Sequence, residues 1–521
     1  MMGAVAAGHP LTARAGAQVL EQGGNAVDAC VAAAFAGMVT ESFLTGLGAG
    51  GFMLVHRAHD RTARLADFFV SSPGLGLKRP RGGKMEAIDV GFGDAPTTQP
   101  FLIGPATVAV PGAVAGLEAV HRRYGRLPWK ELLAPGTELA RDGIELTRQQ
   151  AHFHAILDPI IRFSDEARRI YSSPKGARLV AGEQLRLPDL ADSFEAIAKR
   201  GAAALYRGER ARAMVATVRE GGGELTLEDL AGFRVAWRTP VRVRFQGHEV
   251  LSNPPPSSGG VLIAYGLALL QRLPHAAAES AESLAALAEV MREQGRARGG
   301  AFTRDLHRGG LAARLLAAES LRAAKRRIDS GLAGAPDRAA HGTTHISVID
   351  ADGNAAGLSS STGSGSGVVV PGTGIYLNNM LGEFDLVGGK PPRPGVRLTS
   401  MMAPTIALAP DGSPRLVVGS AGSARLRGAI MQIVVNVLAH GLGVEDAVGA
   451  PRIHVDDPHV HCEGGHDPAE LDRLAELGYD VVRWRRRNLF FGGAAAVELL
   501  PDGRAAAAGD PRRGGAGVLV E

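Results

Sequence analysis

Only two cysteines, Cys30 and Cys462, occur in 521 residues, so there is no disulfide framework and nothing demands an oxidising compartment, although one pairing stays open. Aromatic residues make up 5% of the chain, and packing has to rest on Ala, Leu and Val rather than on large rings. Long apolar runs are missing too: the longest, 29–39, is too short to cross a bilayer, and no membrane association is expected. The first ten residues lack the charged and apolar regions of a secretory signal and lead into a helical pattern. A cytoplasmic protein is expected, or a periplasmic or secreted one if a leader precedes this sequence. Lys plus Arg number 57 against 53 Asp plus Glu, and they are interspersed, which leaves no basic stripe for nucleic acid.

What is abundant is glycine, at 70 residues about double the ordinary share of roughly 7%. Apolar residues, at 45%, suffice for a full core. Apolar spacing predicts a helix over 11–20, stopped by Gly23-Gly24, and a second over 26–38 capped by Asn25. The glycine-rich stretch 45–51 then precedes a buried strand at 52–55; a phosphate-cradling loop would follow a strand and open a helix, so nucleotide binding is disfavoured. Another strand is predicted at 65–70, and the middle of the chain reads as helical at 113–124, 129–141, 188–200, 209–220 and 261–272, with Thr226 as a helix cap. The rigid-then-flexible stretch Asn253-Pro-Pro-Pro-Ser-Ser-Gly-Gly260 is either a turn or a wall of a site. A polar connector follows at 329–342. Beyond it Asp352-Gly353, Asp411-Gly412 and Asp502-Gly503 each separate apolar runs and predict hairpins. Helices followed by hairpins imply an α+β fold, with helices packed on antiparallel sheet.

Thr343 sits at the join, in His341-Gly-Thr-Thr-His345. A threonine hydroxyl is a poor nucleophile without a base, and an N-terminal threonine supplies one in its own α-amino group. Thr343 can do this only if the chain is cut after Gly342.

The chain resembles the γ-glutamyltranspeptidases, or glutathione hydrolases, of the N-terminal-nucleophile hydrolases. The resemblance runs through Gly23-Gly-Asn-Ala-Val-Asp28, Gly46-Leu-Gly-Ala-Gly-Gly-Phe-Met53, Pro254-Pro-Pro-Ser-Ser-Gly-Gly260 and Thr343-Thr-His-Ile-Ser347. It continues in Gly374-Ile-Tyr-Leu-Asn-Asn379, Gly419-Ser420, Pro451-Arg452 and Asp510-Pro-Arg512. It implies a four-layer αββα sandwich made as one precursor that cuts itself into a large subunit, 1–342, and a small one, 343–521, with a higher oligomer possible. Thr343 would then attack a γ-glutamyl peptide or related small-molecule amide, and the acyl group would pass to water or an amine. No cofactor is implied. By position, Ser361 assists Thr343, the N–H groups of Gly422 and Ser423 form the oxyanion hole, Thr399 and Ser400 bind the substrate α-carboxylate, and Glu383 holds its α-ammonium.

The sequence departs from that pattern where the substrate binds. Phe69 replaces the Arg that pairs with the α-carboxylate, Gly363 stands for an Asn and Met380 for a Gln or Glu, and the segment from 383 to 399 is shorter than the loop that lids the site in family members, which implies a more open cleft. Two further readings follow: an acylase acting on non-glutamyl amides, and a scaffold that never matures. A metal site in His454-Val-Asp-Asp-Pro-His-Val-His-Cys-Glu-Gly-Gly-His466 fits no zinc spacing, and a structural role is expected for these residues. His345 is expected to pack or bond locally.

Overall fold

A computed structural model describes residues 3–78, 82–91, 98–331, 343–387, 392–422 and 425–521. Two antiparallel sheets organise the chain. The first has seven strands in the order Ala516–Val520, Gly3–Ala7, Thr344–Asp350, Ala355–Ser361, Gly50–Arg57, Thr62–Phe68 and Ala236–Arg238. The second has six, in the order Ala505–Gly509, Gly493–Leu499, Pro414–Ala421, Thr405–Leu408, His248–Ser252 and Val241–Phe245. Their inner faces meet where Thr344–Asp350 packs on Pro414–Ala421 and Gly493–Leu499, and Ser347 Oγ donates across the gap to Ala495 O at 3.0 Å.

Helices cover the other faces. Pro10–Glu21 and Ala26–Thr40 lie on the first sheet, Gly259–Leu270 and Arg425–Leu438 on the second. All fifteen residues of Ala26–Thr40 are buried, which is why, apart from Asp28 and Thr40, its sequence is apolar on every face rather than amphipathic. Asn25 caps it as expected, in a capping box closed by Asp28. Among the described residues no helix is long and apolar enough to cross a membrane. The architecture is the α+β arrangement expected from the order of elements.

All three Asp-Gly turns join paired strands of the expected hairpins. The glycine-rich loop before Gly50–Arg57 holds its glycines for close backbone approach, since a Cβ on Gly48 would lie 2.2 Å from Tyr376 O. The middle of the chain is less uniformly helical than its pattern suggests. Val241-Arg-Val-Arg-Phe245 alternates with a period of two and turns back through Gln246 and Gly247, both at positive φ, into His248–Ser252. The helix Trp129–Asp142 continues across Pro135. The connector at 329–342 lies outside the described residues from 332 onward.

Candidate active site

Thr343 immediately precedes the third strand of the seven-stranded sheet. The register pairs Thr344 with Ser360, which sets Thr343 beside Ser361 at the same end of two neighbouring strands. Both open onto a cleft of about 360 Å³ that also presents Gly363, Glu383 and Ser400. The Ser361 hydroxyl accepts a hydrogen bond from Gly363 N at 2.8 Å, so it is held at the mouth of that turn. Gly422 ends the strand Pro414–Ala421 that packs on the Thr344–Asp350 strand, with a φ of 118° open in practice only to glycine. Its expected partner Ser423, and Gly342 on the other side of the expected cut, lie outside the described residues.

Strand alternation separates the two threonines. Thr343 faces the cleft, whereas Thr344 donates its hydroxyl to Glu41 Oε2 at 2.7 Å on the opposite side. Glu41 follows the helix Ala26–Thr40, and nothing in the sequence reading singled it out; a carboxylate placed just after a long run of small apolar residues was the available signal. Burial pushes its carboxyl up to about 7, against the pull of the Thr344 hydroxyl and the Arg513 guanidinium. Arg513 donates through Nη1 to Thr343 O at 3.0 Å, and burial pushes it down to about 10. Arg513 therefore holds the backbone carbonyl of Thr343, and Glu41 holds the side chain of the residue after it.

This gives a pH signature. A carboxyl raised to about 7 in the folded protein keeps its neutral, comfortable form below its unfolded value and costs stability as pH climbs from about 4.5 to 7. Glu41→Gln removes the titration while keeping an acceptor for Thr344. The wild type is expected to lose roughly 3 kcal/mol relative to this variant between pH 4.5 and 7.5. Denaturant melts of both chains across that range measure it, and a constant gap would refute the assignment.

The substrate-binding positions divide. Ser400 lines the cleft, and its backbone is clamped by Ser258 N and Ser257 Oγ, each 2.8 Å from Ser400 O. The stretch 253–260 is thus the backing of the cleft wall, not a free turn. Thr399, expected beside Ser400, instead donates its hydroxyl to Leu386 O at 3.1 Å and does not line the cleft. Glu383 is buried, with Ser364 N at 3.4 Å from Oε1. Phe69 stacks on Phe52 at 5.4 Å and, with Met380, Leu386, Met401, Met402 and Leu426, makes the lining largely apolar.

His345 is buried between the sheets, bonded to Ser359 Oγ at 2.8 Å and Ser347 Oγ at 3.0 Å, and burial pushes it down to about 3. It is a packed neutral ring, in line with its local reading. In the histidine-rich stretch, His459 pairs with Asp480 and His461 bonds to Trp484 Nε1. Among the described residues, no three His, Cys, Asp or Glu side chains converge as metal ligands.

The chain is similar to proteins with this architecture along its whole length. The glutathione hydrolase proenzyme of Pseudomonas aeruginosa is 30% identical over 552 aligned positions, covering 100% of this chain and 95% of the relative. The acylase ACY 1 proenzyme of Pseudomonas sp. (strain V22) is 31% identical, covering 99% and 93%. The crystal structure of cephalosporin acylase from Bacillus halodurans superposes with a TM-score of 0.83 at 25% identity, covering 100% and 96%. With the gamma-glutamyltranspeptidase model matching residues 12–520, the chain belongs to the gamma-glutamyltranspeptidase family.

Proposed function

We propose that this chain is a self-processing amidohydrolase that cleaves γ-glutamyl-like amides through an ester on Thr343. The observation that carries the reading is the placement of Thr343 beside Ser361 at the head of a cleft containing Glu383. Self-cleavage between Gly342 and Thr343 divides the chain into 1–342 and 343–521, both parts of one four-layer αββα arrangement. The freed α-amino group, with an ordinary pKa of about 7.7 to 8.0, is partly neutral near physiological pH. It takes the hydroxyl proton as Thr343 Oγ attacks the substrate carbonyl, and the C–N bond breaks with that proton passing to the leaving amine. Water or a second amine then attacks the ester, releasing the acyl group and restoring the hydroxyl. Backbone donors at Gly422 and Ser423 meet the developing oxyanion, each worth about 2.7 to 4 kcal/mol of barrier. The leaving amine occupies a hollow of about 430 Å³ beyond the Gly363–Ser364 step, whose lining includes Phe101, Phe153, Gly422 and Arg425.

Within this reading the cleft favours the acylase end of the family. Glu383 is the charged side chain of its described lining, and no Lys or Arg stands there to meet a substrate α-carboxylate. A hydrogen-bonded charge contact contributes about 1.5 to 3 kcal/mol. The kcat/KM on γ-glutamyl p-nitroanilide is therefore expected about 10- to 150-fold below that of relatives carrying Arg in place of Phe69. Equal values would overturn the acylase preference. Mass spectrometry of the purified protein tests the wider proposal, through a cut at 342/343 and an acyl adduct on Thr343.

A further inference from the structure

Arg513 reaches Thr343 through one hydrogen bond, from Nη1 to Thr343 O at 3.0 Å. Covalent geometry keeps the nitrogen of a residue within about 4 Å of its own carbonyl oxygen, so Nη1 also stands within about 7 Å of Thr343 N. That nitrogen is the amide of the scissile bond before self-cleavage and the α-amino base after it. The guanidinium is fixed in place. A Cβ on Gly493 would lie 2.0 Å from Arg513 Cδ, so the stem fills the room above that glycine, and the head lies over the Phe153 ring at 5.2 Å.

Thr343 and Arg513 share a small hollow of about 220 Å³ behind the strand, whose other titratable members are Glu41, His345 and Asp510. Asp510 already shares its charge with Arg452 at 2.8 Å and Arg512 at 3.1 Å. His345 is neutral, since burial pushes it down to about 3. Glu41 is neutral below about pH 7, the value to which burial raises it. Arg513 stays charged throughout, because burial brings it down only to about 10. On the cleft side of Thr343, Glu383 is the charged member of the described lining. Below neutral pH the hollow therefore meets a new positive charge with a guanidinium, and its ionised carboxylate is held by two other arginines.

An ammonium at Thr343 N is disfavoured twice. Thr343 is 4% exposed, so the charged form is poorly hydrated, and the guanidinium repels it. Both effects keep the amine neutral at a lower pH than an exposed chain terminus, for which about 7.7 to 8.0 is ordinary. Above neutral pH Glu41 ionises and offsets part of the repulsion, where the amine is already neutral. The same repulsion serves the second half of the step. The amine takes the hydroxyl proton as the Oγ–C bond forms, and Arg513 then favours passing that proton to the leaving nitrogen as the C–N bond breaks.

We propose that Arg513 sets the basicity of the freed Thr343 α-amino group, holding it neutral in mildly acidic solution, with Glu41 as a counter-charge that forms only near and above neutral pH. The inference rests on the acyl-Thr343 reading and adds to it a positioning residue that acts through the amine. Turnover then persists at a pH where an ordinary terminal amine is protonated and idle.

The test is the pH dependence of kcat in the purified, self-cleaved protein and three variants, on whichever of γ-glutamyl and butanoyl p-nitroanilide turns over faster. In the wild type the rate is expected to fall on the acid side with an apparent pKa of about 6.5 or below, against about 7.7 for an ordinary α-amino group. Arg513→Lys keeps the charge and is expected to keep that value. Arg513→Met, isolated in its cut form after long incubation, is expected to move the fall up by about one pH unit, raising the ratio of rates at pH 8.5 and pH 6 about fivefold or more. Glu41→Gln is expected to leave the fall in place or lower it. A wild-type fall centred at about 7.7 or above, or the same centre in wild type and Arg513→Met, overturns the inference. So does a Lys variant that shifts as Met does, which would make the cause steric, and so does a fall that Glu41→Gln raises or abolishes, which would assign the titration to Glu41. If Arg513→Met yields no cut chain, the wild type and the other two variants decide by the same criteria. If the wild type is cut at 342/343 and leaves both anilides intact, the amidohydrolase reading itself falls and takes this one with it.

Discussion

A Thr343→Ala chain is expected to remain a single 521-residue polypeptide and to lose amide turnover by about 10⁴-fold or more. One oxygen serves both steps: it attacks the peptide carbonyl before it during maturation and the substrate carbonyl afterwards. Removing it abolishes the ester in each case, and the α-amino base never becomes available. Thr344 cannot stand in. Its side chain leaves the strand on the other side and donates to Glu41 Oε2, while Thr343 faces the cleft with Ser361 and Glu383. A Thr344→Ala chain should accordingly still be cut, more slowly. A denaturing gel after long incubation reads both outcomes, and fragments from Thr343→Ala would move the nucleophile elsewhere. Thr343→Ser keeps the hydroxyl and should cleave itself detectably.

How far the sequence carried depended on the kind of signal. Local chemistry was legible. The Asp-Gly pairs specify tight turns whatever surrounds them, and the three strand pairs formed where expected. Asn25 reads as a helix cap, and the structure places it there and adds a capping box closed by Asp28. The nucleophile and its neighbours were legible through motif order, because Ser361 follows Thr343 by a distance that a hairpin folds into adjacency. Partners created only by distant segments were not. Gly3–Ala7 is a buried strand between Thr344–Asp350 and Ala516–Val520, but five small apolar residues in a row have no period to read. Arg513 reaches Thr343 O across 170 residues. Thr399 and Ser400 are adjacent in sequence, yet the backbone sends one hydroxyl to Leu386 O and leaves the other at the cleft.

The losses at Phe69, Gly363 and Met380 also change meaning once they are seen together. Each alone reads as damage to a glutamate clamp. In the folded chain Phe69 and Met380 join one apolar wall, while Asn379 and Glu383 close over Gly363 so tightly that a Cβ there would meet their oxygens at 2.1 and 2.8 Å. The cleft has been rebuilt rather than emptied, with Glu383 and the hydroxyls of Thr343, Ser361 and Ser400 among a lining that is otherwise largely apolar.

Arg513→Met should be the most damaging change outside the nucleophile. The turn at 510–515 delivers Arg513 to Thr343 from a buried ionic cluster in which Asp510 pairs with Arg452 at 2.8 Å and Arg512 with Glu463. Met fills a similar volume but leaves Thr343 O without its donor and Glu41 without the positive charge that holds its carboxyl down. An unsatisfied buried acceptor costs about 1 to 3 kcal/mol, and a buried charge stripped of its partner about 3 to 5. The two costs respond differently to pH. Below about pH 5 Glu41 is neutral in either chain, so only the lost hydrogen bond counts; at pH 8 the wild-type carboxyl is ionised opposite Arg513, whereas in the variant it is pushed higher still. The destabilisation measured by denaturant melts should therefore grow from pH 5 to pH 8, and adding Glu41→Gln should recover the difference at pH 8 and little at pH 5. Self-cleavage should slow by about 10²-fold at both, because a nucleophile displaced by an ångström loses its line of attack. An equal penalty at the two pH values would mean that Arg513 acts on Thr343 alone and not through the charge of Glu41.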